Sequence, residues 1–237
     1  YTLSTSRIDD YRLVAEKINE RNDIGLVCIQ HEFGLFGGEY GDYILSFILA
    51  LNKPIITVFH TVLPNPDDKR KKVVHAIADL SDRIVVLTKN SQNILIQDYE
   101  VVSAKTVVIP HGNHTVLWEQ KEKLKNEFNF SDRIVMSTFG LISENKGIET
   151  VLYALPEIVS CYPEVVYLVI GKTHPEILRR EGEKYRDSLI EIVKKQNLEN
   201  NVIFVNEYLE LKELLDYLTL SEIYLFSSKD PNQAVSG

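Results

Sequence analysis

Residues 134–158 read IVMSTFGLISENKGIETVLYALPEI. A short run rich in apolar and β-branched side chains stops at Gly140, and a polar loop runs on to Lys146 and Gly147. Helical spacing then puts Val151, Leu152, Leu155 and Ile158 on one stripe. A strand, a glycine turn and an amphipathic helix make one βα unit, and the same alternation extends in both directions. Runs rich in Val and Ile stand at Ile24–Ile29, Pro54–Phe59, Arg83–Leu87, Thr106–Ile109, Val165–Ile170, Val202–Val205 and Ile223–Phe226. This is the pattern of parallel strands buried on both faces. Between them the spacing predicts helices over 8–21, 40–52, 67–80, 90–99, 116–127, 147–159, 175–196 and 211–220. Strands alternating with helices predict right-handed βαβ units in open α/β sheets.

The 237 residues suit one to two domains, at roughly 150 residues per domain. The predicted seam is 110–131, where Pro110, His111 and Gly112 end one strand and a charged segment precedes the next. It divides the chain into 1–115 and 116–237. Ser81-Asp82-Arg83-Ile84-Val85 recurs as Ser131-Asp132-Arg133-Ile134-Val135. That match reads either as a trace of two similar lobes or as a common polar lead into a strand.

Composition excludes several classes. A net charge of -8 opposes broad nucleic-acid binding, which needs a basic surface. No apolar run approaches the roughly 20 residues of a membrane span. Cys28 and Cys161 are far apart and form no CxxC pair, so zinc-ribbon and thioredoxin-type sites are not expected. GxxxxGK[ST], GxSxG, HExxH and Asp-x-Asp are all absent. His111 and His114 lie three apart, but no further metal ligands are in view. No metal and no cofactor are expected.

Ligands of open α/β sheets bind beyond the carboxyl ends of the strands. Standing there are His60 and Thr61; Pro110 to Gly112; Gly140 to Gly147; Gly171, Lys172, Thr173 and His174; and Ser227 to Asp230. Asn145 is expected to N-cap a helix with Lys146 at its first position. A lysine there opposes the helix dipole, by roughly 0.3–1 kcal/mol. With Gly147 beside it, the arrangement suits a phosphate or diphosphate, the alternative being an exposed surface lysine. Lys172 follows the same logic, with Thr173 or His174 capping a helix that opens at Pro175. His60 reads as a polar group facing a cleft or as a satisfied histidine at a sheet edge. His31 and Glu32, with Gly34, Gly37, Gly38 and Gly41, form a glycine-rich loop whose anion-cradle signal is weak. The basic run Lys69 to Lys72 reads as a solvated helix face or a contact with an anionic membrane surface.

These motifs resemble a family, the retaining GT-B glycosyltransferases of family 4, or group 1 glycosyltransferases. The matching stretches are QHEFGLFGGEYG at 30–41, ITVFHTVLP at 56–64, SDRIVVLT at 81–88, VIPHG at 108–112, FGLISENKGIE at 139–149, LVIGKTHPE at 168–176 and YLFSSKDPNQAVSG at 224–237. The resemblance implies an α/β fold of two Rossmann-like lobes. Residues 1–115 would face the acceptor, through His31, Glu32, Gly37 and Gly38. Residues 116–237 would bind the nucleotide-sugar. Gly140 and Lys146 resemble the family's diphosphate contacts, and Gly171, with Lys172 after it, resembles the glycine turn near the nucleotide. Glu207, Tyr208 and Leu209 fall where the nucleobase loop lies. His60 resembles the histidine facing the donor sugar.

The implied activity is metal-independent transfer of a hexose, with retention of configuration, to a carbohydrate or lipid-linked acceptor, in the cytoplasm. His60 and Lys146 would be its catalytic residues. Departures from the pattern leave open a non-catalytic nucleotide-sugar-binding scaffold, or an epimerase of the same architecture. Leu141 and Ile142 stand where an arginine is common, and Gln233, or else Asp230, takes the first acidic place of the E-x7-E motif. The second acidic residue and the first strand of the N-terminal lobe would fall outside 1–237, so both lobes are expected to be incomplete here.

Overall fold

The computed structural model describes residues 2–112, 114–115 and 120–229, apart from the Glu176 side chain, and the chain divides at 113–114 into two units. In the first unit, β1 (Val27–His31), β2 (Ile55–Phe59), β3 (Arg83–Val86) and β4 (Thr106–Val108) pair in that order, all parallel. In the second, β5 (Ile134–Phe139), β6 (Val165–Ile170), β7 (Val202–Val205) and β8 (Ile223–Tyr224) lie in the order β7-β6-β5-β8, again parallel. The helices are α1 (Ile8–Asn19), α2 (Ile44–Ala50), α3 (Asp68–Leu80), α4 (Lys89–Gln97), α5 (Lys121–Glu127), α6 (Ile148–Cys161), α7 (Pro175–Glu181), α8 (Lys184–Lys195) and α9 (Leu211–Leu220). The fold is α/β, with one parallel sheet per unit.

Burial explains why these runs became strands. All six residues of β6 are buried. Tyr167 and Val169 join Met136, Leu152, Leu155 and Leu189 on one face, while Val166, Leu168 and Ile170 join Leu124, Val135 and Leu220 on the other. Tyr11, Phe59, Ile77, Ile84, Leu95 and Tyr99 belong to the core of the first unit.

Several boundaries differ from the sequence reading, each for a local reason. β1 starts at Val27, because Ile24 closes a turn onto the Arg21 carbonyl after α1. The predicted helix 40–52 shortens to α2, since Tyr40 and Gly41 take positive φ in a tight turn before it. The predicted helix 175–196 is two helices: Gly182 adopts φ +68 just after α7 and donates to the Leu178 carbonyl, a glycine stop. Of the predicted helix 116–127, residues 116–119 lie outside the described residues. β8 has two residues, pairing with Met136 and Ser137 alone.

The shared Ser-Asp-Arg lead opens β3 in one unit and β5 in the other, but its bonds differ. The Asp82 carboxylate accepts from the Ile55 N–H at 2.8 Å, whereas Arg133 donates to the Glu164, Val165 and Asn200 carbonyls. In both units it leads into a strand.

The second sheet changes direction at β5: β6 lies on one side of it and β8 on the other. Such a reversal leaves a crevice at the carboxyl ends of the strands. The loops after β5, β6 and β8 stand at that edge.

Candidate functional site

At this edge two glycines bring the strand ends together. Gly140 follows β5 with φ +133 and Gly171 follows β6 with φ +125, conformations that L-residues rarely adopt. A Cβ on Gly171 would overlap the Gly140 carbonyl oxygen, and one on Gly140 would stand 3.1 Å from the Lys146 Nζ. The lysine thus lies against the glycine turn. Its partial burial lowers its pKa from the ordinary lysine value. Gly140, Gly171 and Lys146 are the sequence-predicted residues that the fold gathers in one place.

Two local expectations need correction. Asn145 does not cap the helix and Lys146 is not its first residue. Lys146 ends a short 3-10 turn, Glu144–Lys146, and Gly147, at φ +61, is the N-cap of α6. Nor does Gly147 leave room for a ligand, because a Cβ there would overlap the Ser227 carbonyl oxygen. The loop after β8 occupies that space. Ser227 Oγ donates to the Lys146 carbonyl at 2.7 Å, and the Lys229 N–H donates to the Asn145 carbonyl at 2.9 Å.

Side chains reinforce this clasp. Glu149, in the first turn of α6, pairs with the Lys229 ammonium and accepts from the Tyr185 hydroxyl of α8. Burial works against the Glu149 charge, yet these two hydrogen bonds hold its pKa below the ordinary range. The Glu149 contact raises the pKa of Lys229; burial, then Glu149, raises that of Tyr185. With Glu144, Tyr153 and Ser188 they line a groove of about 480 Å³. No sequence signal linked Tyr185 to Glu149, because they are 36 residues apart.

Of the remaining candidates, Lys172, Glu207, Tyr208 and Leu209 stand on loops at the same strand ends. Lys172 is exposed after β6. Thr173 does not cap α7, as its hydroxyl turns to the Glu183 carboxylate. Glu207 and Tyr208 follow β7, with Tyr208 77% exposed, while Leu209 packs against the core of Leu124 and Leu220. Asp230 and Gln233 lie outside the described residues.

In the first unit, His60 follows β2 and its Nε2 shares a 2.7 Å hydrogen bond with Gln30 Oε1. Its ring centroid is 6.4 Å from that of His111. Both line a cavity of about 360 Å³ with Gln30, Glu32, Leu35, Thr61 and Leu87. Glu32 accepts from Thr61 Oγ1 at 2.8 Å and from the Phe33 N–H at 3.0 Å. Gln30 is not among the expected site residues, whereas His111 stands among the strand-end residues read from the sequence.

The glycine-rich loop serves packing. Its His31 is the last residue of β1, fully buried among Phe33, Phe36 and Phe59, with neither ring nitrogen hydrogen-bonded. Burial, helped by His60, lowers its pKa to about 4, so it is a neutral core residue and not a surface group on the acceptor side. A Cβ on Gly37 would overlap the Thr5 carbonyl, and one on Gly38 the Asp42 carboxylate. These glycines admit other parts of their own chain.

Within the basic run, Lys69, Arg70 and Lys71 pair with Glu39, Asp67 and Glu100. Among the described residues no helix is long and apolar enough to cross a membrane, and no cluster of three or more His, Cys, Asp or Glu could hold a metal ion.

Residues 119–232 match the family model "Glycosyl transferases group 1". An uncharacterised glycosyltransferase of Methanocaldococcus jannaschii is 24% identical over 152 residues, covering 62% of this chain and 34% of the relative. Among solved structures, Anabaena HepE in complex with UDP superposes with a TM-score of 0.73 at 17% identity, over 94% of this chain and 58% of that one. Sucrose-phosphate synthase of Thermosynechococcus elongatus gives 0.67 at 18% identity, over 93% and 54%. This chain therefore spans about a third of the curated relative (34%) and little more than half of the solved structures (58% and 54%). The shared fold is the two-sheet α/β architecture of the GT-B glycosyltransferases.

Proposed function

We propose that this chain is the part of a group 1 glycosyltransferase that carries the donor diphosphate site, at the carboxyl edge of the second sheet. The observation that carries the reading is the half-buried Lys146 against Gly140, beside Gly171, at the point where the strand order reverses. The family match over 119–232 falls on the same unit. The donor is a nucleotide-sugar. Uridine diphosphate is the first candidate nucleotide, because solved structures similar to this chain hold UDP.

The chemistry asks little covalent help of the protein. As the sugar–phosphate bond breaks, positive charge grows on the sugar ring and negative charge on the departing diphosphate. A fixed ammonium at the diphosphate stabilises the second of these. Lys146 holds that role in this reading, with Gly171 and Lys172 at the adjoining strand end and Glu207 to Leu209 toward the base. Asp230 and Gln233 would serve the donor sugar. His60 and Glu32 serve the reacting sugar and the acceptor, in the cavity of the first unit. Retention of configuration, independence from metal, the carbohydrate or lipid-linked acceptor and the cytoplasmic setting are inferred from the family resemblance.

Turnover tests the reading. UDP release from UDP-hexoses, with and without EDTA, is compared between wild type and Lys146→Ala. Losing one such charge-stabilising group lowers kcat about 10²–10³-fold, with the melting temperature nearly unchanged. Equal loss of fold and activity sinks the assignment. UDP-hexose bound but never turned over, by a chain of the relatives' full length, points instead to a non-catalytic scaffold.

A further inference from the structure

Arg186, the third residue of α8, is only 4% exposed, although the neighbouring loops lie at the proposed diphosphate site. Its Nε reaches Glu183 at 3.3 Å and Thr173 Oγ1 at 3.4 Å, both long. Its Nη1 is buried and, among the described residues, meets no partner. Its one short bond runs from Nη2 to the Gly171 carbonyl at 2.7 Å. Stability does not account for such a residue. A buried guanidinium pays a large desolvation penalty, and an apolar side chain of similar size often serves a core as well. What an apolar side chain cannot do is hold the Gly171 carbonyl.

That carbonyl sets the direction of a donor. The peptide between Gly171 and Lys172 is trans, so its C=O and N–H point in opposite directions from one plane. With the carbonyl tied inward to α8, the Lys172 N–H points outward. Among the described residues it meets no protein acceptor, and Lys172 is exposed. Gly171 itself packs on the Gly140 carbonyl, and Gly140 lies under Lys146.

We propose that Arg186 is a positioning residue, which turns the Lys172 N–H toward a diphosphate oxygen of the nucleotide-sugar. This rests on the functional reading above. It adds that the buried arginine acts through the Gly171 peptide and never touches the ligand.

The test uses the ¹⁵N-labelled chain titrated with uridine diphosphate. The Lys172 amide is expected to move downfield on binding, as a new charge-assisted hydrogen bond forms. Arg186→Met weakens UDP binding about 10-fold or more, the worth of a bond to a charged group, and abolishes the Lys172 shift. Arg186→Lys, which keeps one donor, restores part of both. Binding that moves Gly140 but leaves Lys172 in place overturns the proposal, as does wild-type affinity in Arg186→Met. If Arg186→Met does not fold, the wild-type Lys172 shift and the Arg186→Lys affinity decide. No shift anywhere in the wild-type chain overturns the nucleotide reading itself, and this proposal with it.

Discussion

Gly171 is where residue chemistry and backbone geometry meet most tightly. Alanine there would adopt a backbone conformation that costs about 1–3 kcal/mol and would press on the Gly140 carbonyl. Gly171→Ala should therefore lose both stability and nucleotide binding, measured by urea denaturation and calorimetry; an unchanged variant would refute the close approach. Burial shifts the Lys146 pKa downward. Its folded pKa lies below 10.5, so its charge, and with it UDP affinity, is lost at a lower pH than for an exposed lysine. His31 gives a separate signature. Its pKa is about 4 folded against 6.5 unfolded, so the unfolded chain binds the proton first. The stability that goes with the neutral ring is complete above pH 6.5 and is lost as the pH falls toward 4. The loss approaches about 3 kcal/mol. His31→Phe should flatten that slope in urea titrations at pH 7 and pH 4.5. The glycines at 140 and 171 and the lysine at 146 were legible in the sequence, because strand-end glycines and lone lysines are local signals. The true neighbour of Gly147 was not, since Ser227 lies 80 residues away.

Among the elements, apolar periodicity was sufficient for β5, β6 and β7, whose observed bounds are those read from the sequence. Each is a run rich in apolar and β-branched side chains with polar or glycine ends. It was insufficient where a single residue ends an element. Gly182 splits 175–196 because its φ of +68 stops α7, and an isolated glycine in a helical pattern does not announce that. β8 pairs with β5 over two residues only, a tertiary fact. Two helices have side-chain caps of the usual kind. The Asp67 carboxylate accepts from the Lys69 and Arg70 N–H groups, and Thr88 from that of Ser91. Thr88→Ala should cost about 1 kcal/mol, read as a shift in the urea midpoint with unchanged slope. Leu168, buried in the centre of β6, should cost about 2–5 kcal/mol when changed to Ala.

At the scale of the whole molecule, the alternation of strand and helix sufficed to predict the α/β fold. The reversal of strand order at β5 was not legible, because pairing order is set by which faces find cover. Each unit buries its own core, so damage should stay local. Ile77→Ala in α3 should lower hydrogen-exchange protection of the first unit's strands and leave that of β5 and β6 intact; uniform loss would mean that the units unfold as one. The edge formed by Gly140, Gly171 and Lys146 is proposed to hold a nucleoside diphosphate. Calorimetric titration of uridine diphosphate into wild type and Lys146→Ala, at one ionic strength, tests it most directly. Saturable binding by the wild type is expected, with affinity at least about 10-fold lower in the variant. Equal affinity in the two proteins, or none in either, would contradict it.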